Sequence, residues 1–166
     1  MRFFAITSVA LTVLSLVSLP SVYSSYQSPF KVDPNQPIWT LCGNPETHLL
    51  QAHENGVSIE PEKIKVGGDV RVRIKGILKE KVTSGSVVAD LRLMMIKLKK
   101  GFELCDVLES EFFSGASCPM EPGEVTLEAF AHIPEEVPKL PIKGDVIISN
   151  QQGETLTCIR LNLKLE

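Results

Sequence analysis

From Val70 to Lys75 the chain alternates strictly between apolar and cationic residues, with Val70, Val72 and Ile74 on one parity and Arg71, Arg73 and Lys75 on the other. A repeat of two belongs to an extended strand with one face in a core and the other in water; a helix repeats at about 3.6. The pattern returns at Leu91-Arg92-Leu93, at Ile96-Lys97-Leu98-Lys99, at Val125-Thr126-Leu127-Glu128-Ala129 and from Ile159 to Leu165, with shorter candidates at 56–59 and 146–148. Parity flips between Leu93 and Ile96, which predicts a β-bulge, or a strand passing from one neighbour to another, at Met94–Met95. Turn chemistry separates these segments: Gly67-Gly68-Asp69, Ser84-Gly85-Ser86, Lys100-Gly101, Pro122-Gly123, Lys143-Gly144-Asp145 and Gln152-Gly153. No segment keeps a helical period over three turns. About seven short strands so punctuated predict an all-β, immunoglobulin-like antiparallel sandwich.

The N-terminus is of another kind. Met1-Arg2 precedes an apolar and hydroxylic run from Phe3 to Leu19, which Pro20 ends before Ser21, Ser24 and Ser25. A positive start, an apolar centre and small residues near a cut site make a secretory signal peptide. The reading assigns 1–24 to the signal, 25–37 to a flexible, propeptide-like lead-in rich in Ser, Tyr and Pro, and 38–166 to one folded domain. Loss of Arg2 leaves 16 Lys and Arg against 20 Asp and Glu, a net charge of −4 that gives nucleic acid no footprint. No asparagine precedes a Ser or Thr at the spacing of an N-glycan acceptor. The four cysteines, Cys42, Cys105, Cys118 and Cys158, all follow the signal; an even count on the secretory route implies two disulfides, with three pairings open. None has C-x-x-C spacing or a nearby histidine, so neither zinc nor any other metal or cofactor is expected.

Around the cysteines the residues take a recognisable order. Trp39-Thr40-Leu41-Cys42-Gly43 opens the domain, followed by Val57-Ser58-Ile59-Glu60-Pro61, then Gly67-Gly68-Asp69-Val70 and Lys75-Gly76. Leu104-Cys105-Asp106, Cys118-Pro119, Ile133-Pro134 with Val137-Pro138, and Leu156-Thr157-Cys158-Ile159 complete it. This arrangement resembles the ML (lipid-recognition) family from about Trp39 to Glu166. It is nearest the fungal branch described as phosphatidylglycerol/phosphatidylinositol transfer proteins, and the Niemann–Pick type C sterol carrier is a more distant likeness. The resemblance implies a sandwich splayed at one side, with one lipid lying between its sheets, and the pairs Cys42–Cys158 and Cys105–Cys118. In the chain-entropy account such bridges remove about 4.7 and about 3 kcal/mol of denatured-state freedom. The sterol branch has a further tight bridge and an aromatic residue near the position of Glu135-Glu136-Val137-Pro138; this chain has neither, so phospholipid stands ahead of sterol as the expected cargo.

Taken alone, the apolar strand faces read as core. Given the resemblance, Val72, Ile74, Leu91, Leu93, Met95, Phe102, Leu127, Phe130, Val137, Val146 and Ile148 are candidates to line a lipid cavity or its entrance. Phe112 and Phe113 join them, because two adjacent rings in a polar loop cannot easily enter one core, and either could guard the entrance. Lys97, Lys99 and Lys100, with Arg71, Arg73 and Lys75, read first as solvated faces that block edge pairing and second as contacts for anionic headgroups. No G-x-S-x-G or H-E-x-x-H motif occurs, His48, His53 and His132 read as surface or hydrogen-bonded residues, and no catalytic residue is expected. The expectation is a non-enzymatic, monomeric carrier in the secretory or vacuolar-lysosomal lumen or outside the cell, touching membranes transiently. The competing expectation is a secreted immunoglobulin-like module that recognises a protein partner without lipid cargo.

Overall fold

The computed structural model describes residues 36–166; the signal segment 1–24 and most of the lead-in lie outside the described residues. The strands are β1 (Trp39–Leu41), β2 (Leu50–Glu60), β3 (Asp69–Leu78), β4 (Gly85–Leu93), β5 (Ile96–Glu103), β6 (Phe113–Ser114), β7 (Gly123–His132), β8 (Pro141–Asn150) and β9 (Thr155–Lys164), with one short helix, α1 (Leu104–Glu109), between β5 and β6. They form a five-stranded sheet, β1-β9-β8-β4-β5, and a four-stranded sheet, β2-β3-β7-β6. Every pairing is antiparallel. The fold is the expected sandwich, with nine strands among the described residues rather than about seven. The additional strands include β1 and β6, which at three and two residues are too short to show a period. At six residues α1 is likewise too short for a helical repeat.

One local expectation is corrected. Met94–Met95 is neither a bulge nor a change of neighbour but the two-residue turn of a hairpin: β4 and β5 stay paired down to Leu93 and Ile96, and Met94 has φ 55°. A two-residue connection favours positive φ because the turn must match the twist of its strands. Opposed residues share a face, so Leu91 meets Leu98 and Leu93 meets Ile96. The parity flip in the sequence is the turn itself.

Side chains from the two sheets meet in two apolar clusters. One surrounds Leu78, Val82, Leu104, Leu108, Met120 and Leu156, at the end of the sandwich that carries α1. The other joins Ile59, Ile64, Val70, Leu163 and Leu165, with Ile133 and Val137 packed against them. Cys42 is bonded to Cys158, with Cα atoms 5.1 Å apart, and Cys105 to Cys118, at 5.6 Å. The first bridge fastens the segment after β1 to β9 and is reinforced by a 2.9 Å bond from the Cys42 amide to the Cys158 carbonyl. His48 is buried nearby at 3% exposure, and burial pushes its imidazole below the ordinary value of 6.5.

Two stability measurements follow. Cys42→Ser should cost about 2–5 kcal/mol in urea unfolding, the range for native bridges in small secreted domains. His48 takes up a proton more readily unfolded than folded, so stability is full above the ordinary histidine value and falls as pH drops through 6.5 towards the lower folded value. A series of unfolding midpoints against pH should show this loss, and His48→Gln should flatten that part of the curve.

Candidate functional site

Alternation sends every second residue of the long strands into the space between the sheets. Where the two apolar clusters adjoin, the packing of these side chains leaves a gap. Val87 of β4, Val146 and Ile148 of β8, and Ile159 and Leu161 of β9 face Ile59 of β2, Val72 and Ile74 of β3, Phe113 of β6, and Leu127 and Ala129 of β7. They line a partly open cavity of about 160 Å³ whose lining side chains are all apolar. A void of about 150 Å³ lined this way stays dry, because water inside finds no hydrogen-bond partner.

The cavity has a neighbour. Val87 and Phe113 also line a groove of about 620 Å³ together with Phe102, Glu103, Asp106, Val107, Ser110 and Phe112. β5 and β6 are the last strands of their sheets, and α1 carries the chain from one to the other. The groove therefore lies where the sandwich has no strand to close it. Cys105 lies on α1 and Cys118 in the loop before β7, so their bridge ties that loop to α1 at this edge. Phe102 and Phe112 stand in the groove with 53% and 56% of their surface exposed.

The structure therefore brings six of the thirteen sequence candidates to the cavity wall, namely Val72, Ile74, Phe113, Leu127, Val146 and Ile148. Phe102 and Phe112 lie in the adjoining groove. The other five stand elsewhere. Leu91 and Leu93 share the inward face of Val87 but sit nearer the hairpin tip, and Met95, in the turn, is 96% exposed. Phe130 lies on the outer face of the four-stranded sheet, where the Arg71 guanidinium sits 4.9 Å from its ring centre. Val137 packs against the far apolar cluster. Sequence reasoning missed Ile59, Val87, Ala129, Ile159 and Leu161 as wall residues. Four of them sit in short or alternating strand segments, so their inward parity was visible, whereas Val87 is hidden in the run Val87-Val88-Ala89.

The charged groups close to this region serve the outer faces. Arg73 donates to Glu128 at 2.9 Å, and this bond holds the Glu128 carboxyl below the usual carboxylate range. Arg160 donates two bonds to Asp145, at 2.8 and 2.9 Å, which lowers the Asp145 carboxyl in the same way. His53 pairs with Glu124 at 2.9 Å and His132 with Asp69 at 2.8 Å, all four exposed. Among the described residues, Cys42, Asp145 and Cys158 are the one group close enough to hold a metal ion, but the two sulfurs are bonded to each other and cannot act as thiolate ligands. None of the described cavity residues carries a nucleophile, a base or a charge.

The sandwich thus has an apolar cavity between its sheets and a groove beside it at the open edge. The chain belongs to the ML domain family, whose model matches residues 37–165. It is 26% identical to the phosphatidylglycerol/phosphatidylinositol transfer protein of Aspergillus oryzae, over 100% of this chain and 98% of that protein. It is 27% identical to the protein of the same description from Kluyveromyces lactis, over 96% and 95%. Among solved structures it resembles a Niemann-Pick type C2 protein from Japanese carpenter ant, with a TM-score of 0.60 and 16% identity, covering 78% of this chain and 99% of that one. It also resembles chicken MD-1 complexed with lipid IVa, with a TM-score of 0.54 and 15% identity, covering 80% and 94%. The last two likenesses are likenesses of fold.

The void gives a direct test of the geometry. Ala129→Leu adds three carbons to the wall of a space with room for them, so it should raise stability by about 1 kcal/mol in urea unfolding. Leu127→Ala enlarges the same space and should cost about 2–5 kcal/mol.

Proposed function

We propose that this protein takes one lipid between its sheets and carries it from membrane to membrane, with phospholipid preferred over sterol. The observation that carries the reading is an apolar cavity beside a groove at the open edge, the two sharing Val87 and Phe113 in their walls. The wall of the cavity is apolar throughout, and what it offers an apolar group is transfer out of water. Each buried methylene contributes about 0.8 kcal/mol, so roughly ten of them contribute about 8 kcal/mol before ordering costs. At about 160 Å³ the cavity is below the roughly 300–1,000 Å³ of ordinary ligand pockets, so uptake requires the sheets to part at the open edge. Among the described residues the sheets share no strand pairing, and parting them there breaks no hydrogen-bonded ladder. The printed descriptions of the fungal relatives support a phospholipid as cargo. Two disulfides and the apolar stretch from Phe3 to Leu19 support a place on the secretory route, in a lumen or outside the cell.

The small volume of the cavity is also what a protein-recognition module would show, and one experiment separates the two readings. Native mass spectrometry of the purified protein should show one bound lipid, and the protein should move fluorescent phosphatidylglycerol between vesicles faster than fluorescent sterol. A lipid-free protein that exchanges neither decides for the recognition module. Ala129→Leu should lose exchange while gaining stability. Phe112→Asp should fold normally, because its ring is exposed, and slow exchange about tenfold, equal to about 1.4 kcal/mol of barrier. Phe113→Asp does not make the same test, since it places an unpaired charge in the cavity wall and should unfold the protein.

A further inference from the structure

Seven large apolar side chains of the described chain are exposed, and all but Ile77 of β3 fall in one region. Met94, Met95, Ile96, Leu98 and Phe102 follow one another along the turn and second strand of the β4–β5 hairpin, and Phe112 stands across the groove from Phe102. Ile96, Leu98 and Phe102 are on the inward face of β5, yet β5 is an edge strand and the opposite sheet ends in the two residues of β6, which leaves that face uncovered. Exposed apolar clusters of this kind mark interaction surfaces, whereas single exposed residues do not.

The charge of the same segment names the kind of partner. Between Leu91 and Phe102 there are four basic residues, Arg92, Lys97, Lys99 and Lys100, and no acidic one, in a chain whose formal net charge is −3. Among the described residues none of these four forms an ion pair. Arg92 and Lys97 stand opposite each other across β4 and β5. Like charges placed opposite each other cost stability, so this pair concentrates positive charge beside an apolar tip. Pairing of two copies along β5 would bring two sets of these lysines together. An anionic bilayer satisfies both features at once, with headgroups for the basic residues and hydrocarbon for the turn.

We infer that the β4–β5 hairpin is the membrane-docking element of this protein: Met94, Met95 and Ile96 enter an anionic bilayer, the adjoining basic residues bind its headgroups, and the groove at Phe102 and Phe112 is brought against the surface. The docking itself does not depend on the cargo; only its purpose, delivering the open edge to a membrane, rests on the reading of the cavity as a lipid site.

Flotation of the mature protein with phosphatidylcholine vesicles, with and without phosphatidylserine, tests it. Binding should require phosphatidylserine and weaken as salt is raised. Since each basic residue near the surface contributes about fivefold, Lys97→Glu/Lys99→Glu/Lys100→Glu should weaken binding at least about a hundredfold. Met95→Glu should weaken it about tenfold by removing an apolar contact and adding a repelled charge. Both variants should keep the parent's circular dichroism and bound-lipid content, because neither alters the cavity wall. Unchanged binding in both variants, or equal binding to neutral vesicles, overturns the inference. So does a dimer in sedimentation that Met95→Glu dissolves, which would make a second copy the occupant. A protein that carries no lipid but docks in this way refutes the cargo reading and leaves the docking element in place.

Discussion

Two sheets that share no hydrogen bonds along their strands are held together by what lies between them. In this protein each long strand contributes every second side chain to that space, and the sandwich is stable to the extent that those side chains leave water. The chain satisfies the requirement at both ends, where Leu78, Val82, Leu104 and Leu156 fill one cluster and Ile59, Ile64, Leu163 and Leu165 the other. Where they adjoin, around Ile74, Leu127, Ile148 and Ile159, the packing leaves a cavity of about 160 Å³, so the centre contributes burial from water without the full gain of close packing. Both the fold and the cavity come from the same inward-facing residues.

The edges follow from this arrangement. On one side β1, joined through the segment after it to β9 by Cys42–Cys158, and β2 finish the sheets. On the other, an eight-residue β5 faces a two-residue β6, so one sheet overhangs the other. An overhanging edge strand with apolar side chains is an aggregation hazard, and lysines along it are a usual protection. Lys97, Lys99 and Lys100 keep such an edge from pairing with another strand while leaving it attractive to an anionic surface.

Parity was legible in the sequence, and position along a strand was not. Alternation identified the inward sets of β3, β7 and β9 without knowledge of any pairing, and it placed Val72, Ile74 and Leu127 on the inward face. It could not say that Leu91 and Leu93, on the same face as Val87, lie beyond the cavity, because that depends on how far β4 extends past the opposite sheet. Phe130 differs in parity from Leu127 and Ala129, so its place on the outer face was readable from the pattern already in hand. Met95 was misplaced because a two-residue turn and a bulge leave the same flip of parity. β1, β6 and α1 carry too few residues for any period, and tertiary contacts alone define them. The family likeness supplied the disulfide pairing, which spacing left open among three arrangements.

An unfilled interior is also a quantity of volume. Per mole, a void of about 160 Å³ amounts to about 100 mL, as large as the upper end of the roughly 20–100 mL/mol by which small proteins contract on unfolding. Compression favours whichever state occupies less space, and here the unfolded chain gains by collapsing the void into water. The protein is therefore soft towards hydrostatic pressure in a way its bridges do not correct, since Cys42–Cys158 constrains the chain and not the hole. A larger side chain that fills the void, such as that introduced by Ala129→Leu, removes part of that advantage, so pressure should separate a filled interior from an unfilled one even where heat and urea act on both alike.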